Sequence, residues 1–265
     1  YEPWADVLSS ELGEIGFESF IEEDGFLLAY IDESVYSEEA IKNVETLNTE
    51  GVTVSYSTKV LEQQNWNKEW ESNFDPVYVD DQICVRATFH QPKPQYPYEI
   101  IIDPKMSFGT GHHATTHLML SQMQVVDFKG KSVLDMGSGT GVLAIFAAMQ
   151  GANPVYAIDI DEWCSINARE NAERNGVEFI EIVHGGKEKI PGMKVDVILA
   201  NINRNILLDQ IALYSEALNE SGILHMSGFY QDDVESLVNE ANNHGLKYIS
   251  QKSKGDWTTI NLVKV

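Results

Sequence analysis

Lys131-Ser132-Val133-Leu134-Asp135-Met136-Gly137-Ser138-Gly139-Thr140-Gly141, then the apolar run 142–150, then Asn153-Pro154-Val155-Tyr156-Ala157-Ile158-Asp159, decides how the chain is read. Residues 132–136 are short and apolar, as a buried strand is. Three glycines at alternate positions follow. Residues 142–149 are apolar almost all round, as a buried helix is. A second apolar strand, 155–158, ends on the carboxylate of Asp159. Strand, glycine loop, helix, strand and terminal acid in this order make the first βαβ unit of a nucleotide-binding sheet. Glycine lets the backbone turn sharply and approach a ligand, the helix start offers free N–H groups, and Asp159 can accept both hydroxyls of a ribose. A dinucleotide fingerprint would put its third glycine at position 142, which is Val142. The pattern here is Gly-x-Gly-x-Gly.

Outward from this unit the chain continues as a doubly wound sheet. The pattern predicts helix 161–175 up to Gly176, strand 178–183, strand 195–200, helix 205–220, strand 222–227 and helix 231–243. Strands 246–250 and 258–263 follow as an antiparallel pair turning at Gly255-Asp256. Five parallel strands closed by a hairpin differ from a plain dinucleotide fold, which would continue with another crossover helix. His184, not a carboxylate, follows the third strand.

Upstream, residues 76–265 begin with short strands at 77–79, 83–87 and 99–102, with a proline-rich loop between the last two. Residues 60–75 read as a polar helical linker with Trp66 and Trp70 on one face. Residues 1–59 read as a small acidic α+β domain, helix 3–12, strand 17–23, a turn at Asp24-Gly25, strand 26–31, helix 37–47 capped by Ser37, and strand 52–57. One further strand ahead of Tyr1 would complete a ferredoxin-like split βαβ, so the expectation is that this leading strand is missing from the chain as given.

The formal net charge is −23, and the first 60 residues hold 14 acidic and two basic side chains, more than half of that excess. Such a surface repels phosphate backbones, which disfavours direct binding to DNA or bulk RNA, and attracts a basic protein. Cys84 and Cys164 match no metal spacing and read as buried thiols in a reducing compartment. The apolar runs fall short of a membrane span, and the expected setting is cytoplasmic.

The second informative stretch is Met106-Ser107-Phe108-Gly109-Thr110-Gly111-His112-His113-Ala114-Thr115-Thr116-His117, a flexible lead-in to a helix over 115–125. A lid or wall over a ligand is expected there. His113 and His117 are four apart, as paired metal ligands can be, but no nearby cysteine or carboxylate completes a site, so no metal is expected.

Phe108-Gly-Thr-Gly-His with Thr115-Thr116, Leu134-Asp-Met-Gly-Ser-Gly-Thr-Gly, Ile158-Asp-Ile-Asp161, Asn171-Ala-Glu-Arg-Asn-Gly176 and Ala200-Asn201-Ile202 resemble the PrmA family. These are class I S-adenosylmethionine-dependent methyltransferases that act on a large-subunit ribosomal protein. The motifs cover about residues 60–265, and the first 60 match only in layout. The chain departs from the family at His112-His113-Ala114, where one His followed by Pro is common, and at Asn203-Arg204. The resemblance implies S-adenosyl-L-methionine as cofactor, with contacts at Thr116, Gly137, Asp159 and Asn201. Phe108, Thr110, Asp135, Gly139, Gly141 and Ile160 complete the expected set. It implies a basic ribosomal protein as partner, methylated on its N-terminal amine and lysines. It implies that the acidic domain docks this partner and swings on the linker, in a monomeric enzyme.

Methyl transfer to an amine is an in-line displacement that needs a neutral, oriented nitrogen. Asn201, at the end of the fourth strand and beside the switch point of the sheet, can accept an amine N–H and aim the lone pair. It can equally cap the helix that follows. Other readings are a methyltransferase for RNA or a small molecule, a non-catalytic binding protein of the same fold, and an NAD-dependent oxidoreductase, which Val142 and the terminal hairpin disfavour.

Overall fold

The computed structural model describes residues 4–23, 25–49, 51–60, 75–103 and 113–265. The chain divides into two compact units, Tyr1–Lys68 and Glu69–Val265.

In the first unit α1 (Trp4–Glu14) buries Ala5 and Leu12, and β1 (Ser19–Glu23) pairs antiparallel with β2 (Phe26–Tyr30). The chain turns between them at Gly25, whose φ is 81°. Ser37 caps α2 (Glu38–Lys42) by accepting the amide of Ala40 at 3.2 Å. The helix expected over 37–47 therefore begins as read but stops early. The side-chain amide of Asn48 donates to the carbonyls of Lys42 and Val44, each at 2.9 Å, and so takes up groups that a helix end leaves open. The strand expected over 52–57 does not form. Its alternating side chains Val54 and Tyr56 are exposed, and alternation makes a strand only where one face has something to bury against. The ferredoxin-like sheet is thus reduced, among the described residues, to the β1–β2 hairpin. The linker tryptophans Trp66 and Trp70 lie outside the described residues.

The second unit opens with a three-stranded sheet. β3 (Val77–Val79) runs antiparallel to β4 (Ile83–Arg86), and β4 runs parallel to β5 (Tyr98–Ile101). Then come α3 (Ala114–Met123), β6 (Val133–Met136), α4 (Val142–Met149), β7 (Val155–Asp159), α5 (Glu162–Arg174), β8 (Glu181–His184), β9 (Val195–Asn201), α6 (Arg204–Ala217), β10 (Leu218–Tyr230), α7 (Val234–Asn243), β11 (Leu246–Lys254) and β12 (Trp257–Lys264).

The main sheet has the order β11-β12-β10-β9-β6-β7-β8. β6 to β10 are parallel, and β12 runs antiparallel between β10 and β11. This is the class I methyltransferase arrangement expected from the sequence. Several boundaries differ: residues 218–220, expected in the helix, already belong to β10, and β11 runs on to Lys254. The third strand starts at Glu181 because residues 177–180 make a turn, Ile180 donating to the carbonyl of Val177. β10 runs through to Tyr230 because a bulge between Ser227 and Phe229 lets pairing with β12 resume.

Central strands are apolar on both faces, as crossover helices on both sides require. Val133, Val197 and Leu199 face a core built with α3, α4 and α5. Leu134, Ile198 and Ala200 face a second core built with α6 and α7. The chain leaves β6 towards β7 and β8, then returns to lay β9 on the other side of β6. That reversal places a crevice at the carboxyl ends of β6 and β9.

Candidate active site

The β6–α4 loop is held open by its own backbone. Gly137, Gly139 and Gly141 have φ of 71°, 54° and 80°, values that side chains rarely tolerate. The amides of Gly137 and Ser138 both donate to the carbonyl of Ile158, at 2.8 and 3.1 Å, which pins the loop to β7. A Cβ on Gly137 would overlap Cγ2 of Ile202. Glycine is therefore required here for closeness as well as for conformation.

Asp159 is 8% exposed. Its Oδ2 accepts the Gly139 amide at 2.8 Å and its Oδ1 the Asp161 amide at 2.9 Å. The carboxylate expected to face a ribose is thus also the clamp of the loop, and each oxygen keeps a further acceptor site. Asp135 lies beneath the start of α4, where its Oδ2 accepts the Ala144 amide at 3.1 Å. Its Oδ1 is buried without a hydrogen-bond partner. Burial pushes this carboxyl up to about 7, with the neighbouring Asp159 adding to the effect. Ile160 is 79% exposed beside the loop, and His184 Nε2 lies 3.0 Å from its carbonyl oxygen. Phe108, Thr110 and His112 lie outside the described residues.

The β9 end of the crevice is built from side chains. Asn201 donates from Nδ2 to Thr116 Oγ1 at 3.4 Å, and Thr116 is buried in the first turn of α3. The Oδ1 of Asn201 is buried without a hydrogen-bond partner. Capping of α6 falls instead to Asn203, whose side chain accepts the Ile206 amide at 3.2 Å. Of the two readings open for Asn201, the capping one is therefore wrong. Ile202, next in sequence, also sits over Gly228 at the β10 bulge. Gly228 has φ 97°, and a Cβ there would overlap the Ile202 carbonyl.

His113 caps α3, accepting the Thr115 amide, and its ring packs edge-on against Trp257 with centroids 4.7 Å apart. Trp257 in turn packs on Tyr230 at 4.5 Å. His117, one turn along α3, is held below the usual imidazole range by burial and by Lys254 and Lys252. Among the described residues no group of three or more His, Cys, Asp or Glu side chains is placed to hold a metal ion.

Two features were not legible in the sequence. Tyr230 joins the rim only because the bulge at Gly228 carries β10 past the end of β9. His225 is 2% exposed in the middle of β10, with Asn261 as its cross-strand neighbour. Burial pushes its imidazole down to about 4. It stands in one sheet row with Asp135, Leu199 and Asn261. Cys84 is buried as expected, but Cys164, in the first turn of α5, is only partly covered.

Comparison with known proteins adds to this geometry. A family model described as ribosomal protein L11 methyltransferase (PrmA) matches residues 10–265. The ribosomal protein L11 methyltransferase of Bacteroides fragilis is 45% identical, the match covering 97% of this chain and 93% of that one. That of Phocaeicola vulgatus is 43% identical over the same shares. The crystal structure of the ribosomal protein L11 methylase from Lactobacillus delbrueckii subsp. bulgaricus superposes with a TM-score of 0.67 at 27% identity, over 72% of this chain and 99% of that one.

Proposed function

Because this chain belongs to the PrmA family of ribosomal protein L11 methyltransferases, we propose that it transfers methyl groups from S-adenosyl-L-methionine to the N-terminal amine and lysine amines of ribosomal protein L11. The observation that carries the acceptor side is the buried, unpartnered Oδ1 of Asn201 at the end of β9. A buried acceptor left without a donor is costly, and an amine N–H is the donor that this reaction supplies.

When bound, the cofactor contributes a methyl group already activated on a positively charged sulfur. The protein's task is placement. The loop 137–141 offers a backbone surface, kept in place by three left-handed glycines. Asp159 keeps acceptor sites on both oxygens for the hydroxyls of a ribose. Ile160 supplies an exposed apolar edge beside them. Thr116 fixes the amide of Asn201 through its nitrogen, so that the oxygen is the end left for the substrate. Phe108 and Thr110 are proposed as cofactor contacts on the strength of the family motif, and Asp135 supports the loop from beneath.

A lysine amine has a pKa near ~10.4 in water and arrives protonated. Removal from water favours its neutral form. Asn201 then accepts one N–H and points the lone pair at the methyl, so orientation supplies much of the rate. The acidic unit of residues 1–59 recruits the basic ribosomal protein by charge. The enzyme works as a monomer in the cytoplasm. An RNA acceptor is disfavoured by the −23 net charge.

The test is the intact mass of purified ribosomal protein L11 after incubation with this protein and S-adenosyl-L-methionine. Increases in steps of one methyl, mapped to the N terminus and lysines, are expected. An unchanged mass, with cofactor binding evident by calorimetry, would overturn the choice of substrate.

A further inference from the structure

The aromatic group at the rim is joined to Asn201 by a short chain of contacts. Asn201 is the register neighbour of Ser227 across β9 and β10. Ser227 Oγ donates to the Thr258 carbonyl at 2.9 Å, and Thr258 follows Trp257. Tyr230 and Trp257 are register partners across β10 and β12. The first turn of α3 touches both ends of this arrangement, His113 against Trp257 and Thr116 against Asn201. All of these side chains lie on the α3 face of the sheet at its carboxyl edge.

The group is neither core nor scattered surface. Tyr230 is 51% exposed, and Trp257 is half-buried. The β10 bulge and Gly228 bring the rings to this point, and bulges of this kind commonly re-aim side chains beside active sites. Aromatic faces attract cations, tryptophan most strongly, and the attraction grows as the cation loses its water. An amine that gains methyl groups becomes just such a cation, larger and less hydrated with each addition.

We propose that Trp257 and Tyr230, backed by the imidazole of His113, form the wall of the acceptor site and hold the methylated ammonium of the substrate, so setting how many methyl groups one amine receives before it leaves. The proposal rests on the reading of Asn201 as the acceptor group. Each transfer breaks the S–CH3 bond, forms a methylammonium and leaves S-adenosylhomocysteine; the ammonium gives up a proton to water before the next addition. Asn201 accepts an N–H from the primary and from the singly methylated amine. The doubly methylated amine has no N–H, so its third addition relies on the wall, which also retains the charged form between additions.

The test uses the full chain and two short peptides, one carrying trimethyllysine and one carrying its neutral isostere with a tert-butyl group in place of trimethylammonium. Binding is measured by calorimetry in the presence of S-adenosylhomocysteine. The wild-type protein is expected to prefer the cation by about fivefold. Trp257→Leu should abolish the preference and Trp257→Phe should keep part of it. On ribosomal protein L11 the Trp257→Leu product distribution should shift towards singly methylated amines. Tyr230→Leu gives the same reading, in weaker form, should the tryptophan variant not fold. Equal affinity of the wild-type protein for the two peptides, or an unchanged product distribution in both leucine variants, would overturn the wall. A wild-type protein that prefers the cation but leaves L11 unmodified would count against the substrate and support the wall.

Discussion

The two halves of the crevice are made of different material. At β6 and β7 the surface is backbone: three left-handed glycines, two amides on one carbonyl, and Asp159 clamping the loop. At β9, β10 and β12 it is side chain: Asn201, Thr116, Trp257, Tyr230 and His113. A surface of backbone suits a ligand that is the same in every turnover. A surface of side chains suits the half proposed to discriminate among acceptors. Ile202 touches both, lying over Gly137 on one side and Gly228 on the other.

The largest expected effect breaks the backbone half. Asp159→Ala removes the loop clamp and, with it, the acceptors proposed for the ribose. Hydrogen bonds to a charged group are worth roughly 1.5–3 kcal/mol each, so cofactor affinity should fall by about a hundredfold or more in calorimetry. Normal cofactor binding by this variant would remove Asp159 from the site. Asn201→Ala should act on the other half alone. Turnover should drop by roughly a hundredfold, the order expected when a reacting group loses its orientation, while the cofactor dissociation constant changes only a few-fold. A loss of cofactor affinity as large as the loss of turnover would show that the two halves are not separate.

Gly137→Ala probes the point where they meet. Its left-handed φ costs an L residue roughly 1–2 kcal/mol, and overlap with Ile202 adds to this. Ile202→Ala in the same chain should relieve the second part and leave the first. A double-mutant cycle on thermal stability should therefore show coupling. Additive losses would mean that Ile202 does not bear on the loop.

The same division explains what could be read in advance. The loop half lies within residues 131–159, so spacing alone exposed strand, turn, helix and terminal acid. The double task of Asp159 was still hidden, because a carboxylate's partners depend on where the loop folds back. The acceptor half unites residues far apart in the chain, 85 positions in the Asn201–Thr116 contact, and no local periodicity records such a meeting. Asn201 stood out only by its place at a strand end, and Asn203 had to be seen capping α6 before the alternative fell. Neither Trp257 nor Tyr230 stands out by any local pattern. The strand expected over 52–57 failed for the opposite reason: a local pattern was present, but among the described residues no strand pairs with it.

Effects on stability alone come from a pair of titrating groups, one under each half, in the same row of the sheet. Asp135 lies under the loop and its carboxyl is pushed by burial to about 7 in the fold, against about 3.9 in an unfolded chain. Its contribution to stability is full below pH 4 and is lost as pH rises towards 7. His225 lies under the acceptor side and is pushed by burial to about 4, against about 6.5 unfolded. Its contribution is full above pH 6.5 and is lost as pH falls towards 4. The two slopes oppose each other between these limits, and the remaining groups add a background common to all variants. Asp135→Asn keeps the acceptor for the Ala144 amide and removes the first slope, so its melting temperature should climb more steeply from pH 4 to 6.5 than that of the parent. His225→Gln should fall more steeply from pH 4 to 7. If either variant follows the parent curve, that group does not titrate as its burial demands, and water reaches that side of the sheet row.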